Sequence, residues 1–292
     1  MLKKSLKYLL IKNGLYRPDV AVDFRGLTDD PLDAMERAGV NSCLIEASLD
    51  LCRSFGPLGF GCTSGSLNPF VQSLLELRDG QHSGNQKSAL QKYYDSFQPK
   101  NVAEVFGFED PVQASLALPP NTYAYPWEGY PKKGLLKKRM KRYKRNSISD
   151  TLLNDQHFGP QSERNIAQHL NRLTFLRDRF SSNPYESRDY LHDEIIAQLF
   201  VHDGRYAFRI RNGHHRVAAL SALGYERVEV RIDRDNVYRR DDLNNWEGVV
   251  KGKFTEEQAL EIFDQIFIGE THPFARRMKE EDQIRQFPES RP

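Results

Sequence analysis

The 292-residue chain lacks the features that would place it in a membrane or on an export route. It contains no apolar run of the roughly eighteen residues that a membrane-spanning helix needs. The short apolar stretch near the N-terminus is interrupted by Lys12, and no small-residue cleavage site follows it. A first amphipathic helix is therefore expected rather than a leader, and the expected compartment is the cytoplasm.

The chain also has a small net charge and few cysteines. The 42 lysines and arginines nearly balance the 40 acidic residues, so attraction to nucleic acid or to an anionic membrane would have to come from a local patch. Cys43, Cys52 and Cys62 match no zinc-ligand spacing. An odd number of cysteines without a secretory leader predicts reduced, structural thiols.

Apolar side chains occur throughout the chain, which predicts a globular protein rather than a disordered one. The predicted fold class is α+β, and we expect four stretches. Residues 1–128 form a mostly helical N-terminal module, and 129–150 form a basic connector. Residues 151–240 form a small domain with a mixed sheet and helices, and 241–292 form a helical extension with a tail.

The spacing of apolar residues predicts that the N-terminal module is mostly helical. A helix is expected from Pro31 to a stop at Gly39, and two more between residues 69 and 97. Residues 41–51 fit a buried strand or a short helix. The glycine-rich loop at 55–65 could cradle phosphates, but it lacks Walker spacing, which favours a structural turn.

The segment from Lys132 to Arg145 is basic and contains no acidic residue. Such a run could hold an anionic partner, either a nucleic-acid backbone, an anionic lipid surface or an acidic glycan. It could equally be a solvated linker or helix face. The sequence leaves both interpretations open.

The clearest local pattern lies between residues 194 and 232. An apolar run from Glu194 to Val201, a turn at 202–204 and alternating residues up to Ile210 predict a β-hairpin. Helical periodicity then follows up to Gly224, and Arg227 to Ile232 predicts a further strand.

The predicted site lies where this hairpin meets the helix, at Asn212, Gly213, His214, His215 and Arg216. The first turn of a helix leaves backbone amides without partners and presents the positive end of the helix dipole. Glycine lets the backbone approach an anion closely, and the arginine and histidine side chains add hydrogen-bond donors. The pattern therefore predicts phosphate binding. Adjacent histidines rarely point at one ion, so we predict no metal site here.

This segment, N-G-H-H-R-V-A-A-L-S-A-L, resembles the D-G-H-H-R motif of the ParB/sulfiredoxin superfamily, and the resemblance covers residues 157–232. It implies a ParB/sulfiredoxin-like sheet whose helix start binds nucleotide phosphates. Sulfiredoxins have a cysteine where His214 stands, which argues against sulfinic-acid repair. The histidine pair is most similar to the free-serine-kinase branch, although those kinases have aspartate in place of Asn212.

The same resemblance implies a role for one residue on the preceding helix, and two other residues of that helix are further candidates. Glu163, at the helix start after Pro160, corresponds to a catalytic glutamate and would accept a proton from a substrate hydroxyl. His169 is the next candidate base, and Arg172 a candidate phosphate ligand. A glutamate in the first turn is also ordinary compensation of the helix dipole.

Together these features predict a cytoplasmic phosphotransferase that uses ATP or another nucleotide, with Mg²⁺, to modify a small hydroxyl compound. The acceptor would be a sugar or an amino-acid-like molecule, and the chain resembles two-part proteins associated with bacterial surface-polysaccharide synthesis. The alternative is a nucleotide-dependent switch without catalysis, or a module that binds nucleic acid or a protein partner.

Overall fold

In the computed structural model, the described residues are 21–80, 87–128, 134, 157–183, 185 and 194–286. The predicted N-terminal amphipathic helix lies outside them. So does the basic segment from Lys132 to Arg145, apart from position 134.

Seven strands form one mixed sheet in the order β1-β2-β7-β5-β6-β3-β4. Neighbouring pairs alternate between parallel and antiparallel from β1 to β4. The strands are β1 Val22–Asp23, β2 Cys43–Ser48, β3 Cys52–Ser54, β4 Phe60–Gly61, β5 Ile195–His202, β6 Arg205–Asn212 and β7 Arg227–Arg239.

The helices lie on both faces of this sheet. They are α1 Pro31–Ala38, α2 Pro69–Arg78, α3 Ala89–Ser96, α4 Val102–Phe106, α5 Glu163–Ser182, α6 His214–Ala222, α7 Glu247–Val250, α8 Glu256–Ile268 and α9 Pro273–Gln286. Short 3₁₀ turns occupy Leu49–Leu51, Gly56–Leu58, Pro120–Thr122 and Arg240–Asn245. The architecture agrees with the α+β class at this coarse level.

Both halves of the chain contribute to the same sheet, which corrects the expected small sheet within residues 151–240. Strand β2 pairs with β7, and β3 pairs with β6. The stretch 1–128, expected to be mostly helical, therefore supplies four of the strands. The physical reason is that the three C-terminal strands, in the order β7-β5-β6, leave open edges at β7 and β6, and β2 and β3 from the first half satisfy the backbone groups of those edges.

Two hydrophobic cores lie on the opposite faces of the sheet. Leu199 and Phe208 belong to the core shared with α1, α2, α5 and α6. Phe200 and Ala207 belong to the core that contains α4 and α8. Because successive residues of a strand point to opposite faces, β5 and β6 are buried on both sides. The α8 helix, from the predicted helical extension, packs on the sheet in the second of these cores.

Local signals for helix boundaries are confirmed. Ser162 accepts a hydrogen bond from the Asn165 amide at 3.2 Å and caps α5. Thr255 and Gln258 form a capping box at the start of α8. Such caps stabilise a helix by about 1 kcal/mol each, because they satisfy amides that the first turn leaves open.

The three cysteines are free and buried, as predicted. Burial raises the pKa of the Cys43 thiol to about 11 and that of Cys52 to about 12. Thiols with such raised pKa values are poor nucleophiles, which fits a packing role. Among the described helices, none is both long and apolar enough to cross a membrane.

Candidate functional site

The predicted turn lies between β6 and α6, where Gly213 is the N-cap residue with φ of +97°. No side chain caps the first turn of this helix. A Cβ atom on Gly213 would lie 3.0 Å from Ile195 Cγ1 and 3.4 Å from an Nη atom of Arg216. Glycine is therefore required both by the backbone angle and by the close approach of β5. The turn presents helix amides at the edge of the sheet, a geometry suited to an anion.

His215 and His169 form a pair between α6 and α5. Nδ1 of His169 lies 2.9 Å from Nε2 of His215, and the ring centroids are 5.1 Å apart. Phe70 of α2 packs against both rings, with its centroid 4.4 Å from that of His215 and 5.5 Å from that of His169. The structure thus brings together two residues that the sequence placed 46 positions apart.

Both imidazoles of this pair are neutral near pH 7. Burial, together with the charges of His169, Arg172 and Arg216, lowers the pKa of His215 to about 3. Burial also lowers the pKa of His169. In a neutral pair one ring donates and the other accepts. When His169 donates to Nε2 of His215, the Nδ1 of His215 carries a proton that can be donated to a ligand oxygen.

The charges of two arginines act on this pair. Arg216 is 7% exposed, with its guanidinium close to Gly213. Arg172 is exposed on α5 and is close enough to lower the pKa of His215 by its charge. The candidate base His169 thus contacts the predicted ligand His215, and the charges of two further predicted ligands, Arg172 and Arg216, act on His215.

His214 points away from that contact and into the protein. It is 6% exposed, and its Nδ1 lies 2.8 Å from the Ser54 hydroxyl of β3. Burial, with the added charge of His157, holds the pKa of His214 well below its ordinary value. The His214 side chain therefore connects α6 to β3 through this hydrogen bond. The backbone amide of His214 belongs to the first turn of α6.

Asn212 and Glu163 occupy more peripheral positions. Asn212 is the exposed last residue of β6 and pairs with Ile196 of β5. Glu163 is the exposed first residue of α5, six positions before His169. In an α-helix that spacing corresponds to about 9 Å along the axis and about 240° of rotation. Glu163 and His169 therefore lie on different sides of α5.

Sequence reasoning missed the residues that support His214. Ser54 lies at the end of β3, and the ring of His157 is 5.5 Å from that of His214. His157 also contacts the Tyr123 hydroxyl through Nδ1 at 3.0 Å. These residues come from three separate stretches of the chain, so no local pattern could have connected them.

Sequence reasoning also missed Arg209, a buried arginine on β6. Arg209 is 7% exposed and lies over the Tyr125 ring, with Cζ 3.7 Å from the ring centroid. It donates to the Gln198 side chain and lies 3.6 Å from Glu128. Nearby electron-rich and acidic groups outweigh burial and raise the pKa of Arg209. Its positive charge also contributes to keeping His214 neutral.

The donors at the α5–α6 contact fit the phosphates of a nucleotide better than they fit a bare metal ion. Within residues 21–80, 87–128, 157–183 and 194–286, no three His, Cys, Asp or Glu side chains are grouped so as to hold a metal. Mg²⁺ in nucleotide sites is held largely by the phosphates and water. It would therefore enter with the nucleotide and shield phosphate charge.

Comparisons with known proteins gave no match to a family model, to a curated protein or to a solved structure. The functional interpretation therefore depends on the geometry of the described residues.

Proposed function

We propose that this protein binds a nucleotide at the start of α6 and transfers phosphate to a small hydroxyl compound, in the manner of ParB/sulfiredoxin-like kinases. The observation that supports it is the His169–His215 pair at the start of α6, with the charges of Arg172 and Arg216 acting on His215. Helix amides and guanidinium groups are the donors that phosphate oxygens prefer.

Each of these groups would contribute to binding of the nucleotide phosphates. The α6 amides and Arg216 would hold the phosphate nearest Gly213, and Arg172 would contact the chain of phosphates from α5. His215 would donate one neutral N–H group. Fixed donors of this kind stabilise the charge that spreads over the phosphate oxygens during transfer.

Nucleotide binding is tested by calorimetry with ADP and ATP on the full chain. Arg216→Ala should weaken binding roughly tenfold to a hundredfold, because a hydrogen bond to a charged group contributes about 1.5–3 kcal/mol. Arg240→Ala is a matched control, since Arg240 pairs with Asp264 at 2.8 Å beyond the opposite end of β5. Equal affinity of the wild type and Arg216→Ala for ADP would contradict the proposal.

Transfer is tested with labelled ATP and a panel of sugars and amino acids. Acceptor-dependent labelling is expected, and Glu163→Gln should abolish it while ADP binding persists if Glu163 takes the hydroxyl proton. Glu256→Gln is a matched control, because Glu256 is likewise the exposed first residue of a long helix. In wild-type protein, labelling that is independent of any acceptor would argue against phosphotransferase activity.

The second candidate function is a nucleotide-dependent switch without transfer. The observation that favours it is the position of Glu163, exposed and on a different side of α5 from His169. This protein would bind ADP but would label no acceptor. If the basic segment engages nucleic acid, affinity should fall steeply with added salt, and charge reversal between Lys137 and Arg145 should abolish it.

A further inference from the structure

The solvent-facing side of α5 carries a row of basic, polar and aromatic side chains. With about 100° of rotation per residue, six exposed residues of this helix fall within about 100° of one another around its axis. We call these residues the α5 stripe: Arg164, Gln168, Asn171, Arg172, Phe175 and Arg179. The α5 stripe runs for about 22 Å along the helix. The buried residues of α5, from Ile166 to Phe180, lie on the other side and pack into the core.

The α5 stripe is positively charged and contains no acidic residue. Arg164 and Arg172 form no ion pair within the part of the chain that the structure describes. Asp178, next to the stripe, pairs with Arg177 at 2.7 Å. Glu163 lies about 100° around the axis from Arg164, outside the stripe. The charge of the arginines is therefore available to a negatively charged partner.

An exposed aromatic ring lies in the middle of this basic surface. Phe175 is 56% exposed, and no other phenylalanine in the described ranges is classed as exposed. The guanidinium of Arg172 lies over its ring, with Cζ 5.7 Å from the ring centroid. Proteins that bind single-stranded nucleic acid combine these two features, because bases stack on aromatic rings while phosphates contact the cations beside them.

We propose that the α5 stripe binds single-stranded nucleic acid, with its arginines at the phosphates and Phe175 stacked on a base. The inference goes beyond the proposed phosphate transfer and does not depend on it, since the two share Arg172 alone. It also concerns a surface other than the basic segment from Lys132 to Arg145.

Two other anionic partners fit the α5 stripe less well. A helix that lies on a membrane buries a broad apolar face in the lipid. The apolar face of α5 is packed in the protein core, and the stripe has one large apolar side chain, Phe175. Duplex nucleic acid offers phosphates, but its bases are stacked on one another and leave Phe175 without a stacking partner. A single strand uses both the charge and the ring.

The stacking contact is tested by fluorescence anisotropy of the full chain with a labelled oligothymidylate strand. Phe175→Ala should weaken binding roughly fivefold to a hundredfold, because it removes the ring on which a base stacks. Phe175→Tyr keeps the ring and should bind as the wild type does. Tyr225→Ala is the matched control, since Tyr225 is a 38% exposed aromatic residue between α6 and β7.

The phosphate contacts are tested by the salt dependence of the same binding. For single strands, the slope of log affinity against log salt concentration is about −0.7 for each phosphate contact. Arg164→Gln should therefore make the slope shallower by about 0.7 and weaken binding severalfold. Arg277→Gln is the matched control, because Arg277 is exposed on α9 and likewise lies over a phenylalanine ring, 6.0 Å from the centroid of Phe274.

Three results would overturn the inference. The first is that the wild type does not bind the strand, whether or not it binds vesicles of anionic phosphatidylserine. The second is equal binding of the strand by the wild type, Phe175→Ala and Arg164→Gln, which would assign the binding to another part of the chain. The third is equal affinity for a strand and a duplex together with no effect of Phe175→Ala, which would leave only unspecific attraction of a polyanion. If Phe175→Ala fails to fold, Arg164→Gln decides the question.

Calorimetry with ADP separates this surface from the proposed phosphate site. Phe175→Ala and Arg164→Gln should bind ADP as tightly as the wild type, because neither side chain contacts the start of α6. Loss of strand binding with unchanged ADP binding supports the α5 stripe as a second site. A parallel loss of both would show that the strand occupies the nucleotide site instead, which contradicts the inference and leaves the proposed function standing.

Discussion

Replacement of Gly213 by alanine should disturb both the stability of the protein and its binding of nucleotide. The residue has φ of +97°, which side chains other than glycine rarely adopt. The added methyl group would lie 3.0 Å from Ile195 Cγ1 and 3.2 Å from Ile195 Cα, closer than ordinary van der Waals contact. It would also lie 3.4 Å from the Arg216 guanidinium.

The size of the effect follows from two contributions. A non-glycine residue at positive φ costs about 1–2 kcal/mol. Crowding against a fixed backbone typically adds about 1–3 kcal/mol. Gly224, after the other end of α6, has φ of +85° and would place its methyl group in open space. Gly224→Ala should therefore lose only the first contribution, so the difference between the two variants measures the crowding at Gly213.

The assay is urea denaturation combined with calorimetry of ADP binding. Gly213→Ala should lose about 2–5 kcal/mol of unfolding free energy, the sum of the two contributions. Where it still folds, it should bind ADP at least tenfold more weakly, because Arg216 and the first turn of α6 shift. Gly224→Ala should keep its ADP affinity. Equal stability of the two variants, or full ADP affinity in Gly213→Ala, would refute the reasoning.

Two further predictions concern buried histidines. Burial lowers the folded-state pKa of His215 to about 3 and of His272 to about 4, against an ordinary value of 6.5. The unfolded chain therefore binds protons first, and the unfolding free energy should fall by up to about 1.4 kcal/mol per histidine for each pH unit below 6.5. Urea denaturation from pH 7.5 to pH 5 measures this, and His272→Asn should reduce the slope; a flat profile would be inconsistent with neutral buried rings. Ser54→Ala should lower the unfolding free energy by about 1–3 kcal/mol in the same assay at pH 7, because the ring nitrogen of His214 stays buried without its partner. A decrease below about 0.5 kcal/mol would show that this hydrogen bond contributes little to stability.

Short-range signals predicted the elements that form the site. The hairpin of β5 and β6 was predictable because an apolar run and a strand of alternating polarity flank Asp203 and Gly204, which both have positive φ. The start of α5 was predictable from the Ser162 cap. Each of these signals operates within a few residues, where backbone angles and local hydrogen bonds decide the structure.

The sheet that carries this hairpin was not predictable in the same way. Residues 41–51 fitted either a strand or a short helix, and both occur, as β2 and a 3₁₀ turn at Leu49–Leu51. The pairing of β2 with β7 joins positions 43 and 232, and the pairing of β3 with β6 joins 52 and 208. Neither pairing has a counterpart in local spacing, because any apolar strand of suitable length can satisfy an open sheet edge.

By itself, the sequence determined the turn at Gly213, the helix that follows it and the identity of the donors in that segment, because backbone angles and first-turn amides depend on neighbouring residues. Tertiary structure decided the rest. It buried His214 against Ser54 and paired the ring of His215 with that of His169. The two histidines are adjacent on one helix, and what distinguishes them is which distant strand or helix packs against each ring.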